Sequence, residues 1–351
     1  MKKVVVIGGG IAGMESSTYL KSMGYDVTLI EKNSQLGGHL LKWEKLFPTM
    51  RQGKDVVNFL NDGIKISGVN VLLNTEVANA EKSGNEFKIE LKNGQKLNAD
   101  AVLIATGYDT FNARQKEEYG YGIYDNVITS AELEELFSSG KTLTTPSGKV
   151  PKRIGFVHCV GSRDEKVGNM YCSKVCCVTA VKQSIEIKEK LSDTEVYCFY
   201  MDLRMFGMHF ETLYREAQEK WGINFIRGRL SEACENIDHS LVVKVEDTLA
   251  GKPLKMNVDM LVLMVGIVPS QGTKEIGKIF GLKFGVNGFL KSLDQHIANT
   301  NSDIPGVFFA GTCVAPRPIN NTFVDARAAA VMVASYLENY KVEKRMETIC
   351  N

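Results

Sequence analysis

Four of the eight cysteines of this 351-residue chain lie between positions 159 and 177, with the spacing C-x12-C-x3-C-C. Eight cysteines are too few to form the disulfide scaffold of a chain this long, so four that lie together indicate a metal or redox site. On a helix, Cys172 and Cys176 would share one face, whereas Cys177 would point about 100° away. The fourth thiol, that of Cys159, comes from a separate segment.

Three kinds of centre use clustered thiols. Zinc sites usually have paired C-x2-4-C segments, which this pattern lacks. A disulfide between the adjacent Cys176 and Cys177 would be strained. An iron–sulfur cluster is larger than a single ion and accommodates thiolates that point in different directions, and soft thiolates suit its iron. The pattern favours an iron–sulfur cluster, with zinc or directly redox-active thiols as the alternatives.

A glycine-rich turn at residues 8–13, GGGIAG, indicates a second site. It follows a predicted strand and precedes a predicted helix, which is the context of a dinucleotide-binding turn. Gly8 makes the tight turn, Gly10 lets the backbone approach a pyrophosphate, and Gly13 lets the helix pack closely on the strand. The start of the helix offers free N–H groups to the phosphates. Glu31, after the next strand, would accept hydrogen bonds from the adenosine ribose.

The order strand, helix, strand, glycine-containing hairpin, strand occurs twice along the chain. In the first half, the predicted strands are 3–7, 26–30 and 100–107, and the helix is about 11–23. In the second half, the strands are 153–157, 195–200 and 259–266, and the helix is about 173–190. The sequence therefore predicts an α/β fold with two Rossmann-like domains in tandem.

The C-terminal part of the chain returns to the first domain. A predicted strand at 304–310 ends in Gly311-Thr312, and a helix with an alanine-rich face follows from about 322 to 340. We therefore predict a discontinuous first domain, 1–112 plus 271–351, with residues 113–270 as an inserted domain.

The inserted domain lacks the second glycine fingerprint that a nicotinamide dinucleotide would need. After the strand RIGFV, the chain reads His158-Cys159-Val160-Gly161-Ser162-Arg163. Cys159 thus occupies the turn where phosphates would bind. This substitution argues against nicotinamide binding in the inserted domain.

The composition excludes several functions. With 42 basic and 41 acidic residues the formal net charge is +1, which gives no electrostatic surface for nucleic acid or an anionic membrane. No apolar run reaches the roughly 18 residues of a membrane span. The N-terminal MKKVVVIGGGIAG is too short and too rich in glycine for a signal peptide. We therefore expect a cytoplasmic protein that neither binds nucleic acid nor spans a membrane itself.

Segments throughout the first domain resemble the thioredoxin reductase-like flavoproteins, which bind two dinucleotides. They are Glu31-Lys32-Asn33, Leu36-Gly37-Gly38, Ala105-Thr106-Gly107 and Ala310-Gly311. The resemblance implies that the dinucleotide of the first domain is FAD. That family usually has an acidic residue after the last glycine, whereas this chain has Thr312, whose hydroxyl can bond the ribityl chain or a phosphate. The last helix, near Thr322 and Phe323, would point its N-terminus at the flavin pyrimidine end and favour a reduced, anionic ring.

The glycine turn and this resemblance together predict the residues that bind FAD. They are Gly8, Gly10, Ile11, Ala12, Gly13, Glu31, Lys32, Gly38, His39, Leu40, Val77, Ala105, Thr106, Gly107, Gly311, Thr312, Thr322 and Phe323. Lys42 and Arg317 are candidates for stabilising a reduced flavin, with ordinary surface charges as the alternative interpretation.

The cysteine segment resembles a more specific family. The block CVGSRDEKVGNMYCSKVCC, followed by FYMDLRMFG, is similar to the A subunit of heterodisulfide reductase and its relatives, as are REAQEKWGINFIRGR and AGTCVAPRPINNT. The resemblance implies that a [4Fe–4S] cluster lies in the inserted domain, beside the FAD domain. Its implied ligands are Cys159, Cys172, Cys176 and Cys177.

The chain departs from the methanogen members of that family. They carry added ferredoxin modules with C-x2-C-x2-C-x3-C runs, which this chain lacks, and flavin-based bifurcation needs that larger relay. The compact form is more similar to the A subunit of the heterodisulfide reductase-like complex of sulfur oxidisers. The A subunit of the quinone-interacting membrane-bound oxidoreductase is another short relative. The resemblance implies B- and C-type iron–sulfur partner subunits and a homodimer.

The two sites together predict an electron-transfer oxidoreductase subunit in thiol/disulfide or sulfur metabolism, because a flavin links two-electron to one-electron chemistry. One alternative is an NAD(P)H-dependent disulfide reductase. It would need a nicotinamide site and a C-x2-C or C-x4-C disulfide near the flavin, and the sequence has neither. The other alternative is a redox sensor in which zinc or free thiols control binding to a partner.

Overall fold

The computed structural model describes residues 1–338, which form two compact units. The first unit comprises residues 1–41, 54–109 and the described chain from 268 onward, and the second comprises 42–53 and 110–267. The predicted end of the last helix at Tyr340 and the last cysteine, Cys350, lie outside the described residues. Within residues 1–338, no helix combines the length and the apolar character that a membrane crossing needs.

A five-stranded parallel sheet forms the centre of the first unit, and its inner strands are almost continuously apolar because both faces are covered. In spatial order the strands are Val307–Phe309, Ala101–Ile104, Lys3–Ile7, Asp26–Ile30 and Asn70–Leu72. An antiparallel sheet of the same unit contains Val77–Ser83, Glu86–Leu91 and Lys96–Ala99. The helices are Ile11–Ser22, Gly53–Ser67, Gln271–Ile279 and Ile319–Leu337.

The second unit repeats this arrangement, with a five-stranded parallel sheet and a three-stranded antiparallel one. The parallel strands, in spatial order, are Val127–Thr129, Met260–Val265, Arg153–Val160, Glu195–Tyr200 and Asn224–Arg227. The antiparallel strands are Leu230–Glu235, Leu241–Asp247 and Lys252–Val258. The helices are Ser130–Ser138, Cys176–Lys190 and Phe210–Glu219. The predicted α/β fold with two Rossmann-like units is confirmed.

Four short strands complete the fold. They are Lys45–Leu46, Arg51–Gln52, Tyr108–Thr110 and Ile267–Pro269. The first two pair as an antiparallel hairpin in the second unit. The chain crosses from one unit to the other within Tyr108–Thr110 and again within Ile267–Pro269. The crossings come after Asp109 and after Ile267, each three residues before the predicted boundaries at 112 and 270.

Residues 42–53 pack in the second unit, whereas the predicted boundaries place them in the first. The ammonium of Lys182 lies 5.3 Å from the centroid of the Trp43 ring. The Phe47 and Phe210 rings meet edge to face with their centroids 5.4 Å apart. Lys182 and Phe210 are distant in sequence from residues 42–53. The sequence of this segment therefore does not indicate that it packs against them. We refer to residues 42–53 as the strap.

The helix that carries two of the clustered cysteines begins at Cys176, three residues later than predicted. The hydroxyl of Ser173 accepts a hydrogen bond of 2.8 Å from the Ile267 amide, which fixes the segment before the helix. Lys174 has a φ of +63°, outside the helical range. The preceding residues therefore form a loop. Cys172 lies in this loop and does not share a helical face with Cys176, in contrast to the prediction.

A cluster of buried charges lies in the core of the second unit. The side chains of Lys182, Glu134 and Glu186 are at most 1% exposed, and the ammonium pairs with both carboxylates. One positive and two negative charges leave a net negative charge, and burying that charge lowers the stability of the folded state. Burial is the main cause that raises the pKa of Glu186 from 4.5 to about 7, with the charge of Glu134 adding to it and that of Lys182 opposing it.

We expect Glu186→Gln to stabilise the protein at alkaline pH. Because the pKa of Glu186 is raised on folding, the folded state keeps a proton that the unfolded chain loses between pH 4.5 and about 7, so stability falls as the pH rises through this window. At pH 8 the variant should be more stable than the wild type by about 1–3 kcal/mol, and at pH 4 the two should be alike. Urea denaturation at the two pH values measures this difference. The exposed Glu189→Gln on the same helix is the control, and identical pH profiles for Glu186→Gln and the wild type would contradict the prediction.

Candidate cofactor sites

The glycine turn of the first unit is closed on one side and open on the other. A β carbon on Gly13 would lie 1.8 Å from the carbonyl oxygen of Gly8, so the helix passes over the strand too closely for any other residue. Gly8 itself has a φ of +111°. A β carbon on Gly10 would meet no atom within 4 Å. The turn therefore has free space in front of Gly10, where the sequence predicts a pyrophosphate.

Glu31 holds this turn in place. Its buried carboxylate accepts a hydrogen bond of 2.6 Å from the Gly9 amide through Oε2. Oε1 accepts from both the amide and the side chain of Asn33, at 2.8 and 2.7 Å. The sequence predicts only a ribose contact for Glu31, and this second role depends on a fold that brings Gly9 to it. Oε2 accepts only one of these bonds and has a second lone pair, so Glu31 can still accept from a ribose hydroxyl.

Two glycines from distant segments border the same turn. Gly38 has a φ of +56°, and its β carbon would lie 3.2 Å from the Cα of Gly10. Gly311 has a φ of +77°, and its β carbon would lie 2.8 Å from that of Ala12. The structure thus brings these predicted FAD-binding residues together around the turn.

The segment Ala105-Thr106-Gly107 packs behind the turn. A β carbon on Gly8 would lie 2.4 Å from the carbonyl oxygen of Ala105. The Thr106 hydroxyl bonds that of Thr273 at 2.7 Å. The Thr312 hydroxyl lies 3.9 Å from the position of a β carbon on Gly107, so these two predicted residues are neighbours.

The remaining predicted residues of the first unit differ in exposure. Leu40 and Val77 are buried, Ile11 is half-buried and Lys32 is exposed. The His39 ring stacks on that of Tyr108, with 4.2 Å between centroids, and its Nε2 bonds the Tyr108 carbonyl oxygen at 2.8 Å. Of these residues, His39 has the most fixed orientation.

The last helix begins at Ile319, three residues before the predicted position. Pro318 precedes it, and Thr322 uses both its amide and its hydroxyl to bond the Pro318 carbonyl, at 3.0 and 3.1 Å. The free N–H groups of the helix start therefore lie before Thr322. The Phe323 ring lies 6.4 Å from that of Phe59, between centroids.

A buried aspartate that the sequence analysis missed lies at the C-terminal glycine. Asp325 accepts a hydrogen bond of 2.6 Å from the Gly311 amide, and its other oxygen pairs with Arg317. The only sign in the sequence is one acidic residue on an alanine-rich helix. The charge of Arg317 is thus balanced by Asp325, and Lys42, in the strap, pairs with Glu135 at 2.8 Å.

We expect Gly10→Ala to reduce FAD binding without unfolding the protein. The added β carbon enters empty space and the φ of −81° at Gly10 suits alanine, so the steric cost arises only when a pyrophosphate is bound. FAD affinity should fall by about tenfold or more, measured by flavin fluorescence, with an unchanged melting temperature of the apoprotein. Gly13→Ala is the contrasting variant and should lower that melting temperature. Full FAD affinity in Gly10→Ala would contradict the assigned pyrophosphate position.

The second unit differs from the first at the corresponding place. Strand Arg153–Val160 is irregular between Val157 and Val160, and Cys159 within it has a φ of +60°. This conformation is uncommon for a residue with a β carbon. The next helix starts only at Cys176, so residues 161–175 form the connection that residues 8–10 form in the first unit.

Hydrogen bonds fold this connection back on itself and bring its two cysteine-bearing ends together. The Arg163 amide donates to the Tyr171 carbonyl oxygen at 3.0 Å. The hydroxyls of Ser162 and Ser173 bond each other. Ser162 lies close to Cys159 in sequence, and Ser173 adjoins Cys172. The loop therefore holds the first cysteine near the other three.

The four thiols are free, and three of them are buried. Cys159, Cys176 and Cys177 are each 5% exposed, and Cys172 is half-buried. Burial raises the pKa of Cys159 to about 12 and raises the pKa of Cys177. It also raises the pKa of Cys176 far above its usual range, and the charges of the other three thiolates add to this effect. The thiols are thus near enough to oppose one another's ionisation.

Donors around the site stabilise negatively charged sulfur. The Lys174 amide donates to the Cys172 sulfur at 3.3 Å. The Arg163 side chain hydrogen-bonds Cys159 and lowers its pKa, against the larger effect of burial. The Arg204 amide does the same for Cys177. Such donors favour thiolate ligands of a metal centre.

The chemistry of the donor set is that of soft thiol ligands, which suit iron or zinc. In the described chain, no three His, Cys, Asp or Glu side chains converge as ligands of one metal ion. Ligation of a metal by these cysteines would remove their protons.

His158, directly before Cys159, has two unsatisfied ring nitrogens. It is buried, neither nitrogen has a hydrogen-bond partner, and burial lowers its pKa to about 4, so the ring is neutral. Buried polar atoms usually have partners. The imidazole adjoins Cys159 in sequence and has hydrogen-bonding capacity that no described residue uses.

Comparison with known proteins agrees with the fold of the first unit. Residues 1–123 match the family of pyridine nucleotide-disulphide oxidoreductases. The thioredoxin reductase of Lactococcus lactis has a TM-score of 0.67 at 18% identity, covering 97% of this chain and 100% of that one. That of T. acidophilum has a TM-score of 0.65 at 18% identity, covering 97% and 99%. Together, these matches show a thioredoxin reductase-like fold whose first part is of the pyridine nucleotide-disulphide oxidoreductase type.

Curated relatives identify the family more narrowly. The A subunit of the H(2):CoB-CoM heterodisulfide,ferredoxin reductase of Methanothermobacter thermautotrophicus is 32% identical over 426 residues, covering 97% of this chain and 65% of that protein. The iron-sulfur A subunit of the CoB--CoM heterodisulfide reductase of Methanocaldococcus jannaschii is 32% identical over 423 residues, covering 95% and 64%. The chain belongs to the family of heterodisulfide reductase A subunits, as its cysteine segment predicts, and spans just under two thirds of these relatives.

Proposed function

We propose that this chain is the FAD- and [4Fe–4S]-containing electron-transfer subunit of a heterodisulfide reductase-like complex, in thiol/disulfide or sulfur metabolism. The contrast between the two turns is the main observation in its favour. The first unit has open space at Gly10, whereas the second has Cys159 in an irregular strand and a long connection to two more buried thiols. One turn suits a dinucleotide and the other suits a thiolate-bound centre.

In the first unit, the residues around the glycine turn would hold FAD, which supplies both two-electron and one-electron chemistry when bound. The open side of Gly10 admits the pyrophosphate, and the free N–H groups of helix Ile11–Ser22 bind its phosphates. Glu31 fixes the turn and has one lone pair left, on Oε2, for the ribose. Gly38 and Gly311 keep the approach to the turn free of side chains.

In the second unit, the four grouped thiols would be the ligands of the [4Fe–4S] cluster. The loop bonds between Arg163 and Tyr171 hold Cys159 against the later cysteines. The shell of buried side chains limits the access of water, and the amide donors stabilise thiolate. His158 adds a neutral donor whose nitrogens have no other partner. These residues position the centre and adjust its potential.

The protein would depend on partners. The relatives' names describe subunits of larger reductases, and an alignment of 426 residues exceeds this chain's 351, so those relatives contain residues that this chain lacks. We propose B- and C-type iron–sulfur subunits as partners, a homodimer, and the short form of sulfur oxidisers as the nearest functional parallel. All seven cysteines in the described chain are free, in agreement with a cytoplasmic location.

An NAD(P)H-dependent disulfide reductase is the main alternative, and the second unit argues against it. The phosphate-binding turn is replaced by Cys159 and a loop of residues 161–175. We therefore expect neither NADH nor NADPH to bleach the flavin absorption in anaerobic stopped-flow mixing, whereas dithionite should bleach it. Flavin reduction by either nucleotide at a catalytically useful rate would favour the alternative.

We expect the double variant Cys159→Ser, Cys176→Ser to lose its iron and keep its FAD. Hydroxyl oxygen is a poor ligand for cluster iron, and the flavin residues lie in the other unit. Iron per FAD, measured after anaerobic preparation, should fall from about four to near zero. Cys234→Ser, which changes an exposed thiol of the same unit, should leave the iron content unchanged. Zinc in place of iron in the wild type would favour the sensor interpretation.

A further inference from the structure

A loop in the second unit exposes two large apolar side chains. Residues 201–209 join strand Glu195–Tyr200 to helix Phe210–Glu219 without regular secondary structure. Within this loop Phe206 is 82% exposed and Met208 is 84% exposed. Neither side chain contributes to the core, and aromatic residues and methionine are enriched where proteins bind one another. We call residues 201–209 the docking loop.

The docking loop lies against the proposed cluster site. The thiol of Cys177 donates to the carbonyl oxygen of Asp202 at 3.6 Å. The loop therefore covers the start of the cysteine helix, with its apolar tip toward solvent. A protein that exchanges electrons with the cluster has to bring its own centre close to such a surface.

The same surface carries an excess of positive charge. The carboxylate of Asp202 lies 2.6 Å from the Arg163 guanidinium and 3.9 Å from that of Arg227. The hydrogen bond from Arg163 is the main cause that lowers the pKa of Asp202, and the charges of Arg204 and Arg227 also contribute. Three arginines around one aspartate leave a formal charge of +2. Long-range attraction would therefore favour a partner with acidic residues.

An open cavity of about 410 Å³ adjoins the docking loop at Met201. Arg227 and Arg229 line it, together with Ser231, Thr248 and Glu246. Arg227 is held by a hydrogen bond to the Met201 carbonyl oxygen at 3.4 Å, and Arg229 pairs with the buried Asp164. These contacts orient both guanidinium groups before any partner arrives, and the volume is sufficient for a carboxylate side chain.

We propose that the docking loop and the adjoining arginine-lined cavity form the binding site for an acidic redox protein that exchanges single electrons with the cluster. Carboxylates of the partner would bind Arg204, Arg227 and Arg229, and its apolar surface would cover Phe206 and Met208. On each encounter one electron passes from the reduced protein to the oxidised partner, and no bond forms or breaks. The proposal rests on the proposed function, since the cluster is the electron donor.

The test uses a flavodoxin as the probe, because it is a small acidic protein with an exposed flavin. Binding to the full-length protein as purified is measured by calorimetry at low and high salt. Arg204→Glu with Arg227→Glu should weaken binding by about tenfold or more at low salt and reduce its salt dependence. Phe206→Ser with Met208→Ser should weaken it by a similar factor at both salt concentrations.

Matched controls lie on a helix of the first unit. Lys65→Glu and Ile66→Ser change an exposed charge and an 87% exposed apolar side chain outside the docking surface, and they should leave binding unchanged. Arg227→Gln provides a milder variant if the charge reversals disturb folding. Iron content is recorded for every variant.

The outcomes separate this proposal from the proposed function. Flavodoxin binding is measured without reducing the protein, so it does not depend on electron transfer from the cluster. If the protein contains no iron but binds flavodoxin, and the docking-loop variants weaken that binding, only the cluster is refuted. Normal iron with no flavodoxin binding, or with binding that the docking variants do not change, would overturn the docking site. Sedimentation that shows a dimer dissociated by Phe206→Ser with Met208→Ser would assign the surface to a second copy of the chain and would also overturn it.

Discussion

Both candidate sites depend on how a parallel strand connects to the helix that follows it. These elements are Lys3–Ile7 and Ile11–Ser22 in the first unit, and Arg153–Val160 and Cys176–Lys190 in the second. In the first unit the helix passes so close to the strand that a β carbon on Gly13 would lie 1.8 Å from the Gly8 carbonyl oxygen. Such packing requires glycine at positions 8 and 13, and the open side of Gly10 leaves room for a pyrophosphate. The dinucleotide site thus follows from close helix–strand packing.

The second unit makes this connection in another way. Its strand continues through an irregularity to Val160, and residues 161–175 form a hydrogen-bonded loop before the helix starts at Cys176. Cysteines flank and enter this loop: Cys159 lies before it, Cys172 within it and Cys176 directly after it. One fold, used twice in the chain, therefore supplies two different sites, one at a glycine turn and one at a group of thiols.

The sequence predicted local features well and distant ones poorly. Strands 3–7, 26–30 and 195–200 have the predicted bounds because each is a short run of mainly apolar residues, a pattern that is local in the sequence. The strap was misplaced because Lys182 and Phe210, which hold it, are far along the chain. Asp325 was missed because its partner, the amide of Gly311, has no side chain to indicate it. The start at Cys176 depends on a Ser173 contact that no local pattern shows.

The central claim is that the thiols of the second unit bind a cluster in the same chain as a flavin-binding unit. Mössbauer spectroscopy of ⁵⁷Fe-enriched protein, prepared without oxygen and compared before and after reduction by dithionite, tests it most directly. The account predicts about four irons in the delocalised valence pattern of a cubane cluster for each bound FAD, with one-electron reduction of that pattern. A protein that holds its full FAD but shows no such iron, or only mononuclear iron, would contradict it.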